Sequence, residues 1–215
     1  MKAQIALFQN HPACSRQCCN GMITALKNDF HISIFGVKDD LDQVLAGKHM
    51  VAFPGGIGDA SLYHKFFRRR NVDKIVDFVQ NGGKYLGICM GAYWAGKNYF
   101  DLLDNNIDAV QYIKRPDAEV KRPYSTTVNV NWLNQEHDMF FYDGCTYTGD
   151  TSKFTTISTY ANGEPMAIMQ HNLGLIGCHP ESEANWYDKP YLRDRWHKGV
   201  HHELLRDFVV QLHKN

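Results

Sequence analysis

A chain of 215 residues is long enough for one ordinary α/β domain and short for two. Its 23 basic and 23 acidic side chains cancel, so nothing in the charge points to nucleic acid or an anionic membrane as partner. The hydrophobic share of 44% allows one sizeable core. Met1-Lys2-Ala3-Gln4 runs directly into an apolar segment without signal-peptide architecture, and no apolar run reaches membrane-spanning length. Cys14, Cys18, Cys19, Cys89, Cys145 and Cys178 contain no Cys-x-x-Cys pair and no disulfide-framework spacing. Free thiols in a reducing, cytoplasmic setting are expected.

In chain order, Gln4 to Phe8 reads as a buried strand. Ser15 is placed to cap a helix running to about Asn28. His11, Cys14, Cys18 and Cys19 lie close in sequence, but their spacing fits no usual zinc pattern, and no metal is expected. His31 to Val37 reads as a second strand and Leu41 to Ala46 as a short helix. Met50 to Phe53 is a third strand, ending in Pro54-Gly55-Gly56-Ile57-Gly58-Asp59. Such a turn sets flexible backbone at the carboxyl edge of a sheet, where open α/β folds bind ligands. It is either a source of an inward-facing N–H near Gly56 or an ordinary strand-ending turn. Arg68-Arg69-Arg70 reads as a solvated helix end. Val72, Ile75, Val76 and Val79 recur at helical spacing up to Asn81-Gly82-Gly83.

The next strand ends at Cys89 inside Gly87-Ile88-Cys89-Met90-Gly91. Glycines two before and two after a cysteine suit a tight strand-to-helix corner with a nucleophile at its apex. The helix start behind it favours thiolate. A buried structural cysteine is the plain alternative. Up to Lys97 the alternation of strands and helices argues for a parallel sheet covered on both faces. Beyond Asn98 the texture is β-rich: Val110 to Ile113, Thr126 to Trp132, Met139 to Tyr142, Phe154 to Tyr160 and Pro165 to Gln170 read as strands without an intervening helix. No linker composition marks a boundary, so residues 1–215 are expected to form one domain.

Leu173 to Cys178 is a last apolar strand leading into His179-Pro180-Glu181. The proline extends the chain, so the imidazole and carboxylate can point the same way, as a base and its orienting partner would. A surface His-Pro turn is the alternative. Cys178 reads as a core thiol, or as a disulfide partner for Cys89 if their Cα atoms approach within about 7 Å. The aromatic segment from Ser182 to Gly199 would wall the site, contact another subunit or pack as a surface excursion. The closing helix puts Val200, Leu204, Leu205, Phe208, Val209 and Leu212 on one stripe, with His197 and His201 expected to be exposed.

Pro54-Gly55-Gly56, Gly87-x-Cys89-x-Gly91 and Gly177-x-His179-Pro180-Glu181, each following a strand, resemble the class I glutamine amidotransferase-like superfamily. The narrower match of Gly-Ile-Cys-x-Gly-Ala-Tyr, Pro-Gly-Gly-x-Gly-Asp and Phe141-Tyr142-Asp143-Gly144 looks like the family similar to the N-terminal region of biotin–protein ligases. The resemblance implies a flavodoxin-like three-layer α/β/α sandwich with a mainly parallel central sheet and a β-rich C-terminal elaboration. It implies a triad of Cys89 as nucleophile, His179 as proton shuttle and Glu181 as orienting carboxylate, with backbone N–H groups of Gly56 and Met90 as oxyanion hole. Gly55, Asp59, Tyr93, Tyr142 and Asp143 are the candidate substrate contacts.

Glutamine-hydrolysing members carry glutamine four residues after the nucleophile. Tyr93 stands there, and a phenol cannot pair with both ends of a carboxamide. The expectation is a cysteine-dependent hydrolase or amidotransferase acting on a carboxamide or related acyl group, with glutamine itself disfavoured. An intracellular-peptidase-like hydrolase of the same fold and a non-catalytic binding module are the alternatives; Met90 stands where the peptidase branch has histidine. The chemistry calls for no cofactor. A small-molecule amide or acyl substrate is expected, and a homo-oligomer or partner synthase is compatible.

Overall fold

The computed structural model describes residues 2–215. Eleven strands form: β1 Ala3–Phe8, β2 Phe30–Phe35, β3 Met50–Phe53, β4 Lys84–Ile88, β5 Ile107–Gln111, β6 Thr126–Trp132, β7 Gln135–Phe141, β8 Cys145–Gly149, β9 Thr155–Tyr160, β10 Pro165–Gln170 and β11 Leu173–Ile176. The helices are α1 Arg16–Leu26, α2 Leu41–Leu45, α3 Tyr63–Phe66, α4 Arg69–Gln80, α5 Met90–Tyr93 and α6 Val200–Lys214. Nine strands make one sheet in the order β2-β1-β3-β4-β11-β10-β9-β6-β7. The first five are mutually parallel, and β10, β9, β6 and β7 extend the sheet antiparallel.

Alternation along the parallel strands sorts side chains into two cores. Ile5, Leu7, Met50, Ala52, Leu86 and Ile88 face α1 and α6, packing with Met22, Leu26, Leu205 and Phe208. Ala6, Phe8, Val51, Phe53 and Tyr85 face the other way, onto Leu41 of α2 and Ile75 and Val79 of α4. This is the expected three-layer arrangement. Ser15 caps α1, its hydroxyl accepting from Cys18 N at 3.1 Å. α4 closes on a Schellman turn, Gly83 N donating to Phe78 O at 2.9 Å and Gly82 N to Val79 O at 3.1 Å, with Gly82 at φ 96°. Arg68, Arg69 and Arg70 are exposed at the start of α4.

Four details differ from the sequence reading. β8 was not anticipated, although its Cys-Thr-Tyr-Thr alternation is strand-like; it pairs antiparallel with β5 in a separate two-stranded ribbon. The strand over 110–113 instead ends at Gln111, because Tyr112 turns inward and stacks on Tyr160 at 3.7 Å. β7 starts four residues earlier than Met139, continuing a hairpin through Leu133 and Asn134, both at positive φ. On α6, Val200 is exposed and His201 is buried, the reverse of expectation. The His201 ring stacks on His197 at 4.1 Å and lies edge-on to His137 at 5.4 Å, packing that accounts for its burial.

Candidate active site

The carboxyl ends of β1, β3, β4 and β11 lie side by side, so the loops following them converge at one edge of the sheet. Cys89 sits between β4 and α5 at φ 49°, ψ −104°, a conformation costly for any residue with a Cβ. The corner is held from below by an aromatic group in which Phe53 contacts Phe8, Tyr85, Trp94 and Phe100. It closes because residue 91 is glycine: a Cβ there would lie 1.9 Å from Phe53 O. Cys89 N donates to Ile176 O at 2.8 Å, tying the corner to the end of β11.

Three residues beyond that end, His179 N donates to Phe140 O, and the ring Nδ1 donates to Glu181 Oε1 at 2.8 Å. His179 is 3% exposed and Glu181 fully buried. Burial alone would depress the imidazole pKa. The Glu181 carboxylate and the neighbouring Cys89 outweigh it and hold His179 well above the ordinary histidine range, with contact from Cys18 and Cys89 adding to the rise. The structure therefore brings Cys89, His179 and Glu181 together. In the resting arrangement the Cys89 thiol leans on the Asp143 carbonyl at 4.0 Å.

The backbone N–H groups of Gly56 and Met90 make no hydrogen bond among the described residues, and both residues line the cavity that Cys89 opens onto. That open cavity has a volume of about 440 Å³, with Asp59, Tyr93, Tyr142 and Asp143 also in its wall. Asp59 is exposed, and its carboxylate accepts from Ser61 N at 2.7 Å, which holds its pKa below the usual carboxylate value. Tyr93 donates its hydroxyl to Asp143 O at 3.3 Å. Asp143 Oδ2 accepts from Gln111 Nε2 at 3.0 Å, while Oδ1 is buried without a partner, and burial raises the carboxyl pKa. Gly55 is not part of that wall. It lies buried under the imidazole, where a Cβ would come within 2.4 Å of His179 Cε1.

Sequence reasoning did not single out Gln111, offered Trp186 only as part of an aromatic segment that could wall the site, and treated Cys18 only as a metal candidate. Cys18 follows the Ser15 cap by three residues, so its thiol falls at the first turn of α1, beside His179. Its sulfur, a His179 ring nitrogen and a Glu181 oxygen lie within 4.8 Å of one another. These three could hold a cation, but it would compete with the Nδ1–Glu181 bond. The neighbouring Cys14 and Cys19 thiols are turned elsewhere, donating to Pro54 O and Phe8 O, each at 3.4 Å. Burial pushes the Cys19 and Cys145 thiols up to about 12 and raises those of Cys14, Cys18 and Cys178 as well. Cys178 is a buried, free core thiol.

No helix of the described residues is long and apolar enough to cross a membrane. Comparison with curated protein sequences gives no match. Residues 11–111 match the family model described as biotin-protein ligase, N terminal. A solved glutamine amidotransferase from Thermotoga maritima aligns with a TM-score of 0.71 and 13% identity over 100% of both chains. PurLQS from the same organism aligns at 0.64 and 16% identity, over 99% of this chain and 100% of that one. A glutamine amido transferase from Methylobacillus flagellatus aligns at 0.61 and 13% identity, over 99% and 92%. The chain has a class I glutamine amidotransferase-like fold and is similar, across residues 11–111, to the N-terminal region of biotin–protein ligases.

Proposed function

We propose that the chain is a cysteine-dependent acyl-transfer enzyme, acting on a carboxamide or related acyl group through a thioester at Cys89. His179 takes the thiol proton as Cys89 attacks the carbonyl carbon, then returns it to the departing amine. Glu181 fixes the ring tautomer and stabilises the imidazolium. The N–H groups of Gly56 and Met90 receive the oxyanion, a contribution typically of about 3 kcal/mol per donor. The observation that carries this reading is the buried His179–Glu181 pair, 2.8 Å apart, set beside a cysteine in a strained corner.

Tyr142 and Asp143 are proposed as substrate contacts, with Asp59 at the mouth. Glutamine is disfavoured as donor, because the Tyr93 hydroxyl is already committed to a backbone carbonyl and offers no donor to a substrate amide. The test is intact-mass analysis after incubation with a panel of primary and secondary carboxamides, glutamine included. A covalent acyl adduct on Cys89, absent from Cys89→Ser, is expected with a donor other than glutamine. Turnover that persists in Cys89→Ser would sink the proposal.

A further inference from the structure

Two cavities flank the Cys89–His179 pair, and their chemistry differs. Cys89 lines only the larger, which also carries Asp59, Lys97, Asp108, Lys114 and Asp143. His179 lines only the smaller, of about 220 Å³, together with Cys18, Ile57, Phe140, Tyr142 and Trp186. Among the described residues no Asp, Glu, Lys or Arg lines this second chamber. Gly56 and Tyr142 border both. Phe140 and Trp186 lie edge-on to the imidazole, with ring centroids at 6.0 and 5.5 Å. One side of the pair therefore carries fixed charges, whereas the other, the imidazole apart, has none and sets an aromatic wall against the uncharged polar side chains of Ser15, Gln17, Ser125 and Asn185.

In thioester chemistry, the amine that leaves and the nucleophile that attacks next both exchange a proton with the imidazole, so both must stand on its side. A water molecule occupies about 30 Å³, and an apolar cavity of about 150 Å³ already accepts benzene. The second cavity, open to solvent on one side, has room for a ring-sized group. We propose that it is an acceptor site for an amine bearing a flat, apolar group, which makes the chain a transferase; the proposal rests on the thioester reading above. The free-base nitrogen attacks the Cys89 thioester carbonyl and forms the C–N bond. Its proton passes to the His179 nitrogen not held by Glu181. The C–S bond then breaks, Cys89 leaves as thiolate, and it recovers that proton from the imidazolium. The product is an amide, with no change of oxidation state.

The test acetylates the protein with S-methyl thioacetate, whose small leaving group makes no demand on the chamber. Benzylamine, methylamine and taurine then compete for the acetyl group at pH 8, and the N-acetyl products are quantified by mass spectrometry. After subtraction of the uncatalysed reaction, benzylamine should be favoured over methylamine by about tenfold or more, as expected for burying a ring. Taurine should gain nothing. Trp186→Ala should collapse the benzylamine-to-methylamine ratio. Gln17, exposed at the rim, provides a second variant: Gln17→Glu should turn the preference toward ethylenediamine. An acetylated Cys89 that treats benzylamine and methylamine alike overturns the acceptor site and leaves the thioester standing. No acetyl group on Cys89 overturns both.

Discussion

Acidification should loosen the segment that carries Glu181, and His201 sets how much. The carbonyl of Ser182, next to Glu181, is paired with His197 Nε2 at 3.0 Å and His202 Nε2 at 2.9 Å, so the segment rests on a histidine cluster. His201, 3% exposed, belongs to the same cluster, its ring stacked on His197 and edge-on to His137. Burial first, and then the like charge of His197, His137 and His202, push its pKa down to about 3. A histidine in the unfolded chain titrates near 6.5. As pH falls, the unfolded chain therefore takes up the proton first. Stability is intact above about 6.5 and drains away below it. At pH 5 the gap is roughly 1.5 pH units, each worth about 1.4 kcal/mol, giving about 2 kcal/mol from His201.

His197, lowered to about 4, acts in the same direction. His179, raised, has the opposite sign: its stabilisation is complete below about 6.5 and disappears only as pH climbs through its folded value, so it changes little between 6.5 and 5. Urea unfolding at pH 7 and pH 5 measures the difference. His201→Leu should lose about 2 kcal/mol less than the wild type over that interval. Equal losses would show that His201 is not held neutral in the fold, and the reasoning would fail.

Gly55→Ala should displace the imidazole, because the new methyl would lie 2.4 Å from Cε1. Cys89 alkylation should slow while far-ultraviolet circular dichroism stays that of the wild type; unchanged alkylation would count against the close fit. Cys89→Gly should be more stable than Cys89→Ala by about 1 kcal/mol in urea unfolding, since only glycine occupies φ 49°, ψ −104° without penalty. A less stable glycine variant would mean that the corner is not strained.

The parallel half of the fold was legible because its signals are local and redundant. Val51, Ala52 and Phe53 run unbroken into a Pro-Gly-Gly turn, and Val72, Ile75 and Val79 mark a helix that Gly82 ends. Cys89, His179 and Glu181 could be read for the same reason, since each sits in a short motif at the end of an apolar strand. What escaped depends on long-range packing. β8 was overlooked although Cys145-Thr146-Tyr147-Thr148 alternates as a strand does; its antiparallel pairing with β5, distant in sequence, was not legible. His201 looks like an exposed helix residue, and only the packing of His137 and His197 around it shows otherwise. The tight fit between Gly55 and the His179 ring was not legible either, because it joins segments far apart in sequence. Trp186 was one aromatic among several, and only the fold brings it beside the imidazole.

The most direct test of the Cys89–His179 pair is the second-order rate of iodoacetamide alkylation at pH 7, with the modified site located by peptide mapping. The other five thiols are held in their protonated form by burial, so a single adduct on Cys89 is predicted, forming at least about tenfold more slowly in His179→Ala. Labelling that begins at Cys18 or Cys145, or a Cys89 rate unchanged by the loss of the imidazole, would contradict the account.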